Sequence, residues 1–132
     1  MSKMRTKGII YEKCIAFSLD IIALCNEMRD QGEYIMSKQI LKSSTSIGAN
    51  YCEAFGAESP QDFVHKVAIS LKEANETYYL LDLIYHSNYL TKDKFEMLHE
   101  QVEELYKMMN SSIFTVKQKL QQNTQTIKQS NN

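Results

Sequence analysis

Chain breakers are too few and too widely spaced in this sequence for anything but long helices. Between the first turn of residues and the C-terminus the chain offers only Gly8, Gly32, Gly48, Gly56 and Pro60. A β-architecture needs turn chemistry about every 8 to 12 residues, and here residues 9–31 and 61–132 pass without a glycine or proline. With 43% hydrophobic and 23% charged residues, such a chain has enough apolar side chains for one core. The expected fold class is therefore all-α, as a single domain spanning residues 1–132.

Hydrophobic periodicity divides the chain into four helices. Ile10, Cys14, Phe17, Ile21, Leu24 and Met28 recur in steps of four and three, which predicts a first helix over about 8–30, stopped by Gln31 and Gly32. A second, over about 37–56, carries Met36, Ile40, Ser43, Ile47, Asn50 and Ala54 on one stripe. Its small side chains let neighbouring helices come close. Ser59 as cap and Pro60 at the first helical position open a third helix, over about 60–87. The fourth, capped by Thr91 over about 92–120, keeps a heptad-like seam from Phe95 through Leu98, Val102, Leu105 and Met109. The polar tail 121–132 is expected to be disordered. Short connections force antiparallel neighbours, so the expected architecture is an antiparallel up-down-up-down four-helix bundle.

Two of these helices are apolar on more than one side. Ile15 and Ile22 lie off the seam of the first helix, and Ile69, Leu80 and Ile84 off the inner stripe of the third. A second apolar face needs a second partner, so these five residues are expected at an oligomer interface. Ser46, Asn50, Glu53, Glu73 and Glu76 are expected to form a structural polar core, because buried polar groups require hydrogen-bonding partners on a neighbouring helix or subunit.

Catalytic and metal chemistry is not expected. A di-metal bundle site needs two Glu-x-x-His motifs at one level. The available spacings, Glu96 to His99 and Asp62 to His65, start antiparallel helices and fall roughly 37 Å apart. No glycine-rich phosphate loop or nucleophile motif occurs, so no cofactor is assigned. Cys14 and Cys25, eleven residues apart on one helix, are too distant to pair. Three cysteines without metal spacing point to free thiols and a cytoplasmic location, and no apolar run long enough for a signal peptide or membrane span occurs.

The net charge of −1 is unevenly distributed. Lys3, Arg5, Lys7 and Lys13 against Glu12 give the first thirteen residues +3, and Lys117, Lys119 and Lys128 give residues 113–132 another +3. The remainder carries −7. In an up-down bundle the two basic segments share one end, which makes Lys3, Arg5, Lys7, Lys13, Lys117 and Lys119 the candidate nucleic-acid contacts.

One ordered set of residues carries a family resemblance. Gln39, Lys42, Ser43, Ser46, Ile47, Asn50 and Glu53 are followed by Gly56, Ser59, Asp62 and Phe63, then by Lys72, Glu73, Glu76, Thr77, Tyr79 and Leu80. This pattern resembles the bacterial four-helix bundle family encoded by intervening sequences within 23S ribosomal RNA genes, over most of residues 10–120. The chain is similar also to the accessory proteins of diversity-generating retroelements. It departs from the family where Ala54 replaces a common Gly, Ala57 a frequent Arg, and Tyr79 an aromatic that is often Trp. The resemblance implies a homo-oligomeric ring of about five bundles without catalytic activity. Two functions follow: a scaffold or accessory interaction protein, and alternatively a module that binds RNA or DNA weakly through its basic end.

Overall fold

The computed structural model describes residues 8–130, which form four helices: α1 (Gly8–Asp30), α2 (Ile35–Ala54), α3 (Pro60–His86) and α4 (Lys92–Ser130). The connections are four or five residues long, and each helix packs antiparallel to the one before it. The α2–α3 interface is the most extensive, α1–α2 and α3–α4 are intermediate, and α1 closes on α4 through the thinnest. This is the antiparallel four-helix bundle expected from periodicity.

Each helix end has a local cause. Gly32 adopts φ +84, and the N–H of Glu33 donates to the Met28 carbonyl at 2.9 Å, which closes α1 with a left-handed turn. Ser59 accepts the N–H of Asp62 at 3.0 Å while Pro60 occupies the first turn of α3. Asn88, at φ 67, turns the chain out of α3, and Thr91 accepts the N–H of Lys94 at the start of α4.

At α2 the cap is Glu33, whose carboxylate accepts the N–H groups of Ile35, Met36 and Ser37 at 2.9 to 3.0 Å. That cap starts the helix at Ile35, two residues before the expected position. Partial burial works to raise the Glu33 pKa, but those three bonds and the Ser37 hydroxyl outweigh it and hold the carboxyl below its usual range. The stabilisation is present above the ordinary carboxylate range and lost as pH falls through the lowered value. Glu33→Gln should cost about 1 kcal/mol at neutral pH, roughly 4 °C in Tm. Melts repeated in acid should show the difference between the two proteins vanish.

The core is a column of fully buried side chains: Phe17, Ile21 and Met28 of α1, Ile40 and Ile47 of α2, Val67, Leu81 and Ile84 of α3, and Val102, Leu105 and Met109 of α4. Between α2 and α3 the column is polar. The Thr77 hydroxyl donates to Ser43 Oγ at 2.8 Å, and the Ser70 hydroxyl donates to the Ile47 carbonyl. Small hydroxyl residues thus let these two helices approach closely, and the pairing satisfies the polar groups they bury.

Two expectations are corrected. Helix α4 does not stop at Leu120 with a disordered tail beyond it; it continues to Ser130. The segment holds no glycine or proline, and the hydroxyls of Thr124, Thr126 and Ser130 donate to carbonyls four residues back. Leu80 and Ile84 are buried at 3% and 0% exposure. They join Thr77 and Leu81 on one wide arc, since α3 packs against both α2 and α4, and so belong to the bundle's own core.

Candidate functional site

Once the core is assigned, three surfaces stand out as candidates for contact with a partner. The first is a stripe on α1. Ile15, Leu19 and Ile22 recur at steps of four and three and are 47%, 60% and 40% exposed. This spacing keeps them on one face, turned well away from Phe17, Ile21 and Leu24.

The second is a smaller patch on α3. Tyr79 and Leu83, one turn apart, are both exposed, and Ile69 is half-buried on the same helix. Helices α1 and α3 are diagonal in the bundle: each packs on α2 and α4, and those four pairings are the substantial ones. Their outer faces therefore point to opposite corners of the molecule. The patch carries Tyr79, which periodicity analysis missed because a tyrosine is neutral evidence at a surface position.

The residues expected as a polar core lie mostly on the outer side of α2 and α3 instead. Ser46 and Asn50 are half-buried, while Glu53 and Glu76 are exposed. The Asn50 amide donates to the Ser46 carbonyl of its own helix at 2.8 Å, and the Ser46 hydroxyl donates to the Lys42 carbonyl. Glu53 reaches Lys66 of α3 at 3.9 Å. Asn50 misses the core because it sits on the flank of the arc formed by Ile40, Ser43 and Ile47. Glu73 is half-buried as well. Burial, then the charge of neighbouring Glu76 and a hydrogen bond with it, raise its pKa against the pull of Lys42 and Lys72.

The third surface is the basic end. Lys3, Arg5 and Lys7 lie outside the described residues. Lys13 is not free to meet a phosphate, because its ammonium is paired with Glu104 of α4 at 2.7 Å. Lys117 and Lys119 are exposed on the far part of α4, and among the described residues neither is paired with an acid.

Reactive chemistry is sparse elsewhere. His99 lies between Tyr78, 4.1 Å away, and Phe95, 5.1 Å away, its ring tilted to both, and Tyr85 stacks on the Phe95 ring at 4.3 Å. That imidazole is a packing element between α3 and α4. Burial, assisted by the nearby Cys52, pushes the Cys14 thiol up to about 12, so it stays protonated at neutral pH and is a poor nucleophile. Among the described residues no three His, Cys, Asp or Glu side chains converge as metal ligands, and no helix is long and apolar enough to cross a membrane.

The bundle with these surfaces has a known counterpart. Residues 6–111 match the model of the 23S rRNA-intervening sequence protein family. The chain belongs to that family. A crystal structure of a protein of unknown function from the S23 ribosomal protein family, from Bacteroides thetaiotaomicron, is 42% identical and superposes with a TM-score of 0.77. The match covers 80% of this chain and 98% of that one. No curated protein matches the chain. The family stretch contains the α1 stripe, the α3 patch and the polar outer face of α2 and α3, and ends within α4.

Proposed function

We propose that this protein is a non-enzymatic, homo-oligomeric scaffold or accessory interaction protein whose bundles join through the α1 stripe. The observation that carries the reading is the run Ile15, Leu19, Ile22, three large aliphatic side chains left 40% or more exposed on one helix face. Exposed apolar residues scattered singly are ordinary, whereas a contiguous stripe is costly in a monomer. Its complement is the Tyr79 and Leu83 patch at the opposite corner. Two different patches at opposite corners favour head-to-tail contacts, and such contacts close into rings when the rotation permits. A ring of about five is the assembly implied by the family resemblance. Glu76 lies on the same face of α3 as Tyr79 and Leu83, with Glu73 beside it, so both are then available to basic groups of a neighbouring subunit.

Light scattering on the intact protein at micromolar concentration should give a multiple of the 15.3 kDa chain mass. The double variant Ile15→Glu, Ile22→Glu should run as a monomer with unchanged helical circular dichroism. A wild-type protein at monomer mass would overturn the reading.

A second reading, weak nucleic-acid binding, draws support from Lys117, Lys119 and Lys128, which lie on the far part of α4 with no acidic residue from 113 to 132. Binding of this kind is sequence-independent and falls with salt, by a log-log slope of about −0.9 per phosphate on duplex DNA. Titrations with duplex DNA and single-stranded RNA at about 50 and 200 mM salt should show micromolar affinity that Lys117→Gln, Lys119→Gln together abolish. Equal binding by that variant would remove the basic end as the site.

A further inference from the structure

Among the described residues, no helix packs along the outermost part of α4. Residues 112–130 lie beyond the family match yet continue α4 without interruption. The core-facing line of the helix runs on through them: Ile113 is buried, Val116 and Leu120 are half-buried, and Ile127 is 62% exposed. Burial fades along this line as α4 passes the start of α3 and the described part of α1. Ser70 of α3 lies level with Met109, and Pro60 and Phe63 at the start of α3 reach only as far as Val116, Leu120 and Asn123. On the other side, Lys13 lies level with Glu104. Gly8, five residues earlier, is then level with about residue 109 of antiparallel α4.

Between the start of α3 and α4 lies a cleft of about 340 Å³, lined by Pro60, Phe63, Val116, Lys119, Leu120 and Asn123. Beyond it the stripe continues to Ile127. At about 100° per residue, Lys117 and Lys128 fall roughly a quarter turn to one side of the Val116, Leu120, Ile127 line and Lys119 a similar distance to the other. An apolar seam with cations on both flanks is the arrangement by which one helix selects an oppositely charged helix.

We propose that this cleft and stripe form a docking site for an acidic amphipathic helix of a partner protein. Apolar side chains of the partner fill the cleft and cover Leu120 and Ile127, while its flanking carboxylates meet Lys117, Lys119 and Lys128. Charge excludes the same segment of a second copy, which is equally basic. The acidic face of a second copy, around Asp93, Glu100 and Glu104, offers Met97 as its exposed large apolar residue, too little to cover the seam. A nucleic acid satisfies the lysines but leaves the apolar line uncovered. The site is separate from the α1 stripe, so it stands whether or not the bundles form a ring.

The test uses the intact protein and a labelled synthetic helix of about 18 residues, with leucines at alternating three and four spacing and glutamates beside them. Fluorescence anisotropy should show it bind, several-fold more weakly at about 200 than at 50 mM salt. The exposed-site variant Ile127→Glu and the double variant Leu120→Glu, Ile127→Glu should each weaken it, the double about tenfold or more, with helical circular dichroism retained. A peptide with lysines in place of the glutamates should not bind. The proposal falls if the acidic peptide fails to bind, if the variants bind it unchanged, or if the lysine peptide binds equally. It also falls if single-stranded RNA is bound and the acidic peptide is not, or if the double variant lowers the protein's assembly mass. The last result would give the stripe to a second copy, whereas a wild-type monomer that binds the peptide would overturn only the ring.

Discussion

Ile84→Ala should lower stability by about 3 kcal/mol, and Tm by roughly 10 °C, whereas Ile15→Ala should leave the stability of the single bundle within about 0.5 kcal/mol. Both residues are isoleucines off the first periodic line of their helices, but Ile84 is 0% exposed. Its truncation opens a cavity among Leu81, Leu80 and the facing helices, and the close-packed column cannot fully collapse onto it. Thermal melts of the two variants, paired with light scattering, separate the roles. Ile84→Ala should melt early while the folded protein keeps its assembly mass, and Ile15→Ala should weaken the assembly. An Ile84→Ala protein that melts with the wild type would contradict the core assignment.

The second large effect is expected at Gly48. A Cβ added there would lie 3.2 Å from the Cβ of Cys14 on α1, closer than side chains normally sit. Gly48→Ala gains about 1 kcal/mol of helix propensity and spends a similar amount on the tight contact, so its Tm should stay near the wild-type value. Gly48→Leu has no such balance. Its branched side chain meets α1 across a close helix crossing, and displacing α1 should cost about 2 to 3 kcal/mol. The double variant Gly48→Leu, Cys14→Gly should recover part of the loss beyond the propensity cost of the new glycine, because it removes both the Cβ and the Sγ that a side chain at 48 meets. Urea titration of the four proteins measures this coupling, and no recovery in the double variant would argue against the crossing.

The fold was legible because breakers are rare and each helix carries a three-four repeat, so helix number and order follow from residues such as Gly32, Ser59 and Pro60. The errors have physical causes. Leu80 and Ile84 read as a second face because a helix packed on two neighbours buries an arc wider than one stripe. The run after Leu120 read as tail because it has few apolar residues to pack, yet it also has nothing to break a helix already begun, and propagation is easier than nucleation. Asn50 is the larger polar residue on the α2 stripe, but the buried bonds between α2 and α3 are made by Ser43, Thr77 and Ser70. Their hydroxyls are short enough to sit between closely spaced helices, and Asn50 is not. The candidate surfaces were half visible: the α1 stripe follows from spacing alone, while the α4 cleft depends on where α3 starts along it.

The inequality among the helix interfaces has a kinetic meaning. Helices α2 and α3 share the broadest contact and are joined by a five-residue turn, so their hairpin forms with little loop-closure entropy and makes a natural folding nucleus. Contact between α1 and α4 requires the two ends of the chain to meet, and it is the thinnest of the four. The bundle therefore closes last, and opens first, along the α1–α4 seam. Amides of α1 and α4 should exchange with solvent through partial opening while those of α2 and α3 wait for global unfolding. An oligomer built on the α1 stripe would clamp one of the two helices at the thinnest seam of the isolated bundle, so assembly would act on the lifetime of the native state as well as on its shape.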